Sequence, residues 1–185
     1  MSDLLKNFKY NWHIIVIFAI VIISSCFFAK HSMQLLSDRG REMMFPLAIL
    51  NGDVPYKDIL TIYFPLAYYV NALFFKIFGA SLNTVYIMQT FYCMIFSGLF
   101  YLISNEFLSK NFSLILTILV AQSCLFSQSV FGYILPYSYS MTYGILAFLA
   151  AVYFILKFFG TNKEKYIYAA AFLSGAAVCF KAEFL

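Results

Sequence analysis

Ser37-Asp38-Arg39-Gly40-Arg41-Glu42 stands between two apolar runs, Trp12 to Ala29 before it and Tyr63 to Gly79 after it. It holds both arginines of a chain that is 63% hydrophobic, 21% aromatic and only 11% charged. A protein this apolar gathers charge in one loop either to anchor that loop in water or to do chemistry there. Met43, Met44, Leu47 and Leu50 follow at helical spacing, so Asp38 to Leu50 reads as a short amphipathic helix lying along a membrane surface. Asn51-Gly52 is its stop signal, and Asp53-Val54-Pro55 a turn. Asp38 and Glu42 are four apart and share a helix face, with Arg41 beside them.

Working outward, a mean hydropathy of +0.84 over 185 residues excludes an ordinary soluble domain. A spanning helix needs roughly 20 mostly apolar residues, because only a helix satisfies its own backbone in lipid. Apolar stretches run about Trp12–Ala29, Tyr63–Gly79, Leu82–Ile103, Phe112–Phe131, Tyr139–Phe159 and from Tyr166 onward. The fold class is therefore all-α: a multi-pass integral membrane protein, one membrane domain over 1–185, with an outer amphipathic first loop at 37–65. The chain is expected to be the N-terminal part of a longer one, since it ends inside an apolar stretch. Lys6 and Lys9 ahead of the first helix place the N-terminus in the cytoplasm and the charged loop on the outer face. The first helix could continue to Leu36, and His31 reads as an interfacial residue. The net charge of +4 is scattered over helix ends, which gives no reason to propose nucleic-acid binding. Cys26, Cys93, Cys124 and Cys179 fall in apolar runs without CxxC pairing and read as buried, inert thiols.

Six full crossings would leave Lys157, Lys163 and Lys165 outside, against the positive-inside tendency. One stretch between Pro65 and Phe131 is therefore expected to be short or re-entrant. The candidates are the second, which is short, and the fourth, loosened by Gln122, Ser123, Ser127 and Gln128. With that change Pro136-Tyr137-Ser138-Tyr139 faces outward beside the charged loop.

A carboxylate at the mouth of a membrane helix, flanked by arginines, suits transfer of a sugar from a polyprenyl phosphate. The departing phosphate needs cations, and Arg or Lys supplies charge-assisted hydrogen bonds. The attacking hydroxyl must lose a proton, so a carboxylate serves as general base. Asp38 is the candidate base, with Glu42 orienting Arg41 or assisting; Arg39, Arg41 and Lys57 are candidate phosphate partners. No cofactor is certain. Asp38 and Glu42 could hold a divalent metal, though two carboxylates at this spacing are a weak metal signature, and no metal ligands are assigned. The same charges could instead pair with one another at the headgroups.

The order Asp38-x-Gly40-Arg41-Glu42, Pro46, Ile49-Leu50-Asn51-Gly52, Pro55-Tyr56-Lys57-Asp58-Ile59, Tyr63-x-Pro65-Leu66-x-Tyr68-Tyr69 and Phe78-Gly79 resembles the first outer loop and second helix of bacterial GT-C glycosyltransferases. The relatives meant are those similar to protein O-mannosyltransferases, lipid A aminoarabinose transferases and the Rgt-type enzymes. Pro136-Tyr137-Ser138-Tyr139 and Lys181-x-Glu183 are weaker echoes of the same family. The resemblance implies an inverting enzyme of the inner membrane, working in cell-envelope glycan or glycolipid synthesis. Its donor would be a polyprenyl-phosphate sugar and its acceptor a glycan, lipid or protein. Asp38 would be the first-loop acid. From the residues themselves, Tyr63 could stack on a sugar and Lys181 bind the donor phosphate, or both could be interfacial, and Asp58 is counted with the substrate contacts. Many relatives carry a second outer acid where this chain has Ser138 or Ser140. Two other readings stay open: a transporter or lipid-sugar flippase, and a non-catalytic truncated remnant.

Overall fold

In the computed structural model, residues 12–31, 37–126 and 136–184 are described. Their elements are α1 (Trp12–His31), α2 (Ser37–Leu50), α3 (Leu66–Phe78), α4 (Leu82–Ser104), α5 (Lys110–Val120), α6 (Tyr139–Thr161) and α7 (Glu164–Phe180). A π-helical turn, Ala121–Leu125, continues α5, and a 3₁₀ turn, Ala182–Phe184, follows α7. Among the described residues there is no strand; the one isolated bridge joins Pro55 and Ile59. Among the described residues, three helices are long and apolar enough to cross a membrane: Trp12–Ala29, Leu82–Ser104 and Tyr139–Thr161. The chain is an all-α membrane protein.

Local chemistry sets the helix ends. Gly52 and Gly79 adopt φ of +104° and +82°, which a side chain would resist, so α2 and α3 stop there. Ser81 accepts from the Thr84 amide at 3.1 Å and starts α4. The Thr84 hydroxyl donates to the Gly79 carbonyl at 2.8 Å, closing the end of α3 onto the start of α4. Asn162 ends α6 in the left-handed region, and Lys163 leads directly into α7. The two helices pack along their length as a hairpin.

Side-chain pairings along the helices fix their directions. His13 bonds Asn111 at 3.1 Å and Gln122 donates to Ser24 at 2.9 Å, so α5 runs parallel to α1. His13 also stacks on Tyr101, while Ile22, Cys26 and Ala29 line one groove with Tyr86 and Thr90, so α4 runs antiparallel to α1. Lys157 reaches Glu106 at 2.9 Å and Tyr143 reaches Met88, so α6 runs parallel to α4. We call the end where α1 begins proximal and the other distal. The α2 helix, the start of α3, the start of α6 and the end of α7 all lie at the distal end.

This arrangement resolves the topology conflict. Both ends of α3 are distal, because it starts beside α2 and feeds the distal start of α4. Its 13 residues span only about 20 Å, short of the roughly 30 Å hydrocarbon core. The second stretch thus does not run from one end of the bundle to the other. Lys157, Lys163 and Lys165 come to the proximal end, with the start of α1. The fourth stretch is loosened as well, into the π-turn, but keeps its parallel course beside α1.

The core gathers Ile17, Val21, Phe75, Met88, Cys93 and Tyr143. Asn71 accepts from the Tyr143 hydroxyl inside it, joining α3 to α6. Only Cys93 is buried; Cys26, Cys124 and Cys179 are exposed on the outside of the helices, against the reading of all four as buried. Apolar sequence places a residue in the bilayer without saying whether protein or lipid surrounds it. The expected cytoplasmic Lys6 and Lys9, the extension of α1 to Leu36 and the end of the fourth stretch at Phe131 fall outside the described residues.

Candidate active site at the distal end

Arg41 and Glu42 are neighbours on α2 and project in different directions from it. Glu42 points inward and is 1% exposed. Its Oε2 accepts from the Tyr139 amide at 3.2 Å, at the first residue of α6. Its Oε1 accepts from the Tyr68 hydroxyl and from Arg41 Nη2, each at 3.4 Å. Burial raises the pKa of this carboxyl above its ordinary value, and the Tyr139 amide and the Arg41 charge offset part of the rise. The ring of Phe45 meets Tyr68 edge-on at 5.2 Å, so the α2–α3 contact is aromatic beside the acid.

The loop between α2 and α3 is folded to present Tyr63. Asp58 Oδ2 accepts from the Val54 amide at 2.9 Å and closes the turn. Tyr56, at φ +68°, donates from its hydroxyl to the Tyr63 carbonyl at 2.8 Å. Thr61 Oγ1 accepts from the Tyr63 amide at 3.2 Å and donates to Tyr68. Burial and then a hydrogen bond with Tyr137 raise the pKa of the Tyr63 phenol, keeping it neutral.

Cations from opposite ends of the chain converge on this ring. The Arg41 guanidinium lies 5.5 Å from the Tyr63 centroid and 5.7 Å from that of Tyr137. Lys181 Nζ lies 5.8 Å from the Tyr63 centroid and 3.0 Å from Glu183. Of the residues singled out from sequence, Arg41, Glu42, Tyr63 and Lys181 are therefore brought together. Lys57 and Asp58 lie on the exposed turn, where the Asp58 carboxylate is used to hold the backbone. Asp38 and Arg39 occupy the first turn of α2, position 38 one turn before Glu42; their side chains, like that of His31, lie outside the described residues. Sequence reasoning marked Tyr137 only as part of a family-like segment; its contact with Arg41 had no local signal, because 96 positions separate the two. Among the described residues no three His, Cys, Asp or Glu stand together as a metal site.

A family model for dolichyl-phosphate-mannose-protein mannosyltransferase matches residues 57–185. The chain belongs to that family. It is a membrane glycosyltransferase family of the GT-C superfamily. The match takes in Tyr63, Tyr137 and Lys181 and begins after α2, so Asp38, Arg41 and Glu42 precede it. No curated protein and no solved structure matches the chain.

Proposed function

We propose that the distal cluster receives the phosphate of a polyprenyl-phosphate sugar and that the chain transfers the sugar, with inversion, to an acceptor hydroxyl. The observation that carries this reading is the convergence of Arg41 and Lys181 on one tyrosine ring beside a buried carboxylate at the distal end of the bundle. Two cations held at a shared aromatic floor suit a monoanionic or dianionic phosphate better than either would alone. The acceptor oxygen attacks the anomeric carbon as the bond from that carbon to the phosphate oxygen breaks. Polyprenyl phosphate leaves with the electron pair, and Asp38 takes the acceptor's proton. Arg41 and Lys181 stabilise the negative charge on the leaving group, with Arg39, two residues before Arg41, as a further candidate. Residues 37–65 form the outer loop of this site.

The proposed orientation puts the proximal end, which holds Lys110, Lys157, Lys163 and Lys165, in the cytoplasm; the distal end holds Lys57 and Lys76 as well as Arg41 and Lys181, and the last two are taken up by the site. The distal cluster then faces outward across the inner membrane, where an envelope glycan, lipid or protein acceptor would meet it. The test is a transfer assay on membranes with a panel of labelled polyprenyl-phosphate sugars, comparing the natural chain with Asp38→Asn. Transfer is expected to vanish while insertion and abundance stay normal; surviving transfer would remove the base assignment.

A further inference from the structure

The first amides of a helix lack partners within it, and a side chain at the residue before the helix usually supplies one. At α6 that residue is Ser138, whose hydroxyl makes no cap bond and is buried without a partner. Glu42 takes over the role from α2, 97 positions earlier, by accepting from the Tyr139 amide. Its neighbour Arg41 lies against the ring of Tyr137, two residues before Tyr139. Residues 41 and 42 therefore grip the 137–139 segment at two points. Because consecutive residues on a helix diverge by about 100°, the two grips fix the height and the rotation of the start of α6. The hold extends further: Tyr68 ties Glu42 to α3, and Tyr143, one turn into α6, packs edge-on against Phe180. Lys181 follows Phe180 directly.

We infer that Glu42 is a positioning residue, whose bond to the Tyr139 amide sets Arg41, Tyr137 and Lys181 at the spacing that grips the donor phosphate. It exchanges no proton with the substrate. This deepens the donor reading above and rests on it. A merely structural carboxylate would lower abundance or melting temperature without changing donor affinity selectively. A catalytic carboxylate would lower kcat with donor affinity intact.

The experiment uses the full chain in lipid nanodiscs and reads transfer kcat, donor KM and binding of a polyprenyl monophosphate without sugar. Glu42→Ala removes both acceptor oxygens, whereas Glu42→Gln keeps one for the amide. Tyr139→Pro removes the amide itself at the first helical position, where proline is tolerated, and Tyr139→Ala controls for the lost ring. Expected is a roughly tenfold or larger rise in donor KM and in monophosphate dissociation constant for Glu42→Ala, with a smaller fall in kcat and Glu42→Gln recovering most of both losses. Tyr139→Pro should reproduce much of that rise relative to Tyr139→Ala, and Glu42→Ala should cost clearly less in that background than alone, since the bond to the Tyr139 amide is already lost and only those to Tyr68 and Arg41 remain to be broken. A Glu42→Ala penalty that persists undiminished in the Tyr139→Pro background overturns the inference. So does a Glu42→Gln protein with normal donor binding and a kcat lowered about a hundredfold or more. Should Glu42→Ala fail to accumulate, the comparison of Tyr139→Pro with Tyr139→Ala decides alone: equal donor binding overturns the inference. A natural chain that binds no polyprenyl monophosphate overturns the donor reading together with this one, whereas binding without coupling overturns only this one.

Discussion

The two ends of the helical bundle contain the same kinds of contact, put to different use. At the proximal end Lys157 pairs with Glu106 at 2.9 Å, and Lys157 and Lys165 sit over the rings of Tyr153 and Tyr166. Those ring contacts are local, and both partners of the ion pair are well exposed, at 35% and 42%. At the distal end Arg41 and Lys181 share the ring of Tyr63, and the acid between the elements is Glu42, closed off from solvent. An exposed pair competes with water and contributes little, whereas a buried carboxylate must be satisfied by partners that then hold one another in place. The lesson is that charge density marks neither end. What distinguishes the distal end is burial of the acid and the convergence of distant segments on one ring.

Several substitutions would break or sharpen this contrast. The largest effect is expected at the candidate base: Asp38→Asn should lower transfer by about 10²–10⁴-fold, the range for losing general base catalysis. Next, Arg41→Ala or Lys181→Ala should each weaken donor binding by roughly ten- to a hundredfold, corresponding to a lost charge-assisted hydrogen bond of about 1.5–3 kcal/mol. Arg41→Lys should rescue poorly, since a lysine cannot span Tyr63 and Tyr137 with a planar group. Lys163→Ala and Lys165→Ala, at the other end, should leave donor titrations unchanged; equal losses at both ends would erase the distinction.

A smaller effect should appear in pH. The folded-state pKa of Glu42 is raised, so between the ordinary carboxylate value and that raised value the folded protein binds more protons than the unfolded one. Its contribution to stability is therefore greatest at low pH and falls as pH rises through the raised pKa. The melting temperature of the natural chain minus that of Glu42→Gln should decline over that window in detergent; a difference that grows with pH would contradict the burial-dominated shift. Smallest of all, Lys157→Ala should cost no more than about 1 kcal/mol, because the pair with Glu106 is exposed. Transfer should be unaffected by it.

Much of this architecture was legible in the residues. The apolar runs located the helices to within a few positions, and Asn51-Gly52 ended α2 where a left-handed residue is needed. The helical spacing of Met43, Leu47 and Leu50 marked a helix, and the clash of Lys157, Lys163 and Lys165 with six crossings pointed to one stretch that does not run the length of the bundle. The same evidence left two candidates for that stretch, because length and hydropathy are nearly silent on whether 13 apolar residues lie along a membrane or dip into it. Asp58 was singled out as a substrate contact, and the sequence held no sign of its bond to the Val54 amide, which depends on a backbone path.

By itself the sequence determined that this chain is a helical membrane protein with its charge concentrated after the first helix, because burying unpaired backbone or charge in lipid is too costly to permit much else. Only the tertiary structure decided that α3 turns back at the distal end, that Glu42 caps α6, and that Arg41 and Lys181 meet at Tyr63. Those contacts join residues tens to more than a hundred positions apart. Local periodicity holds no record of such pairings; they exist once helix directions and packing have brought the segments together.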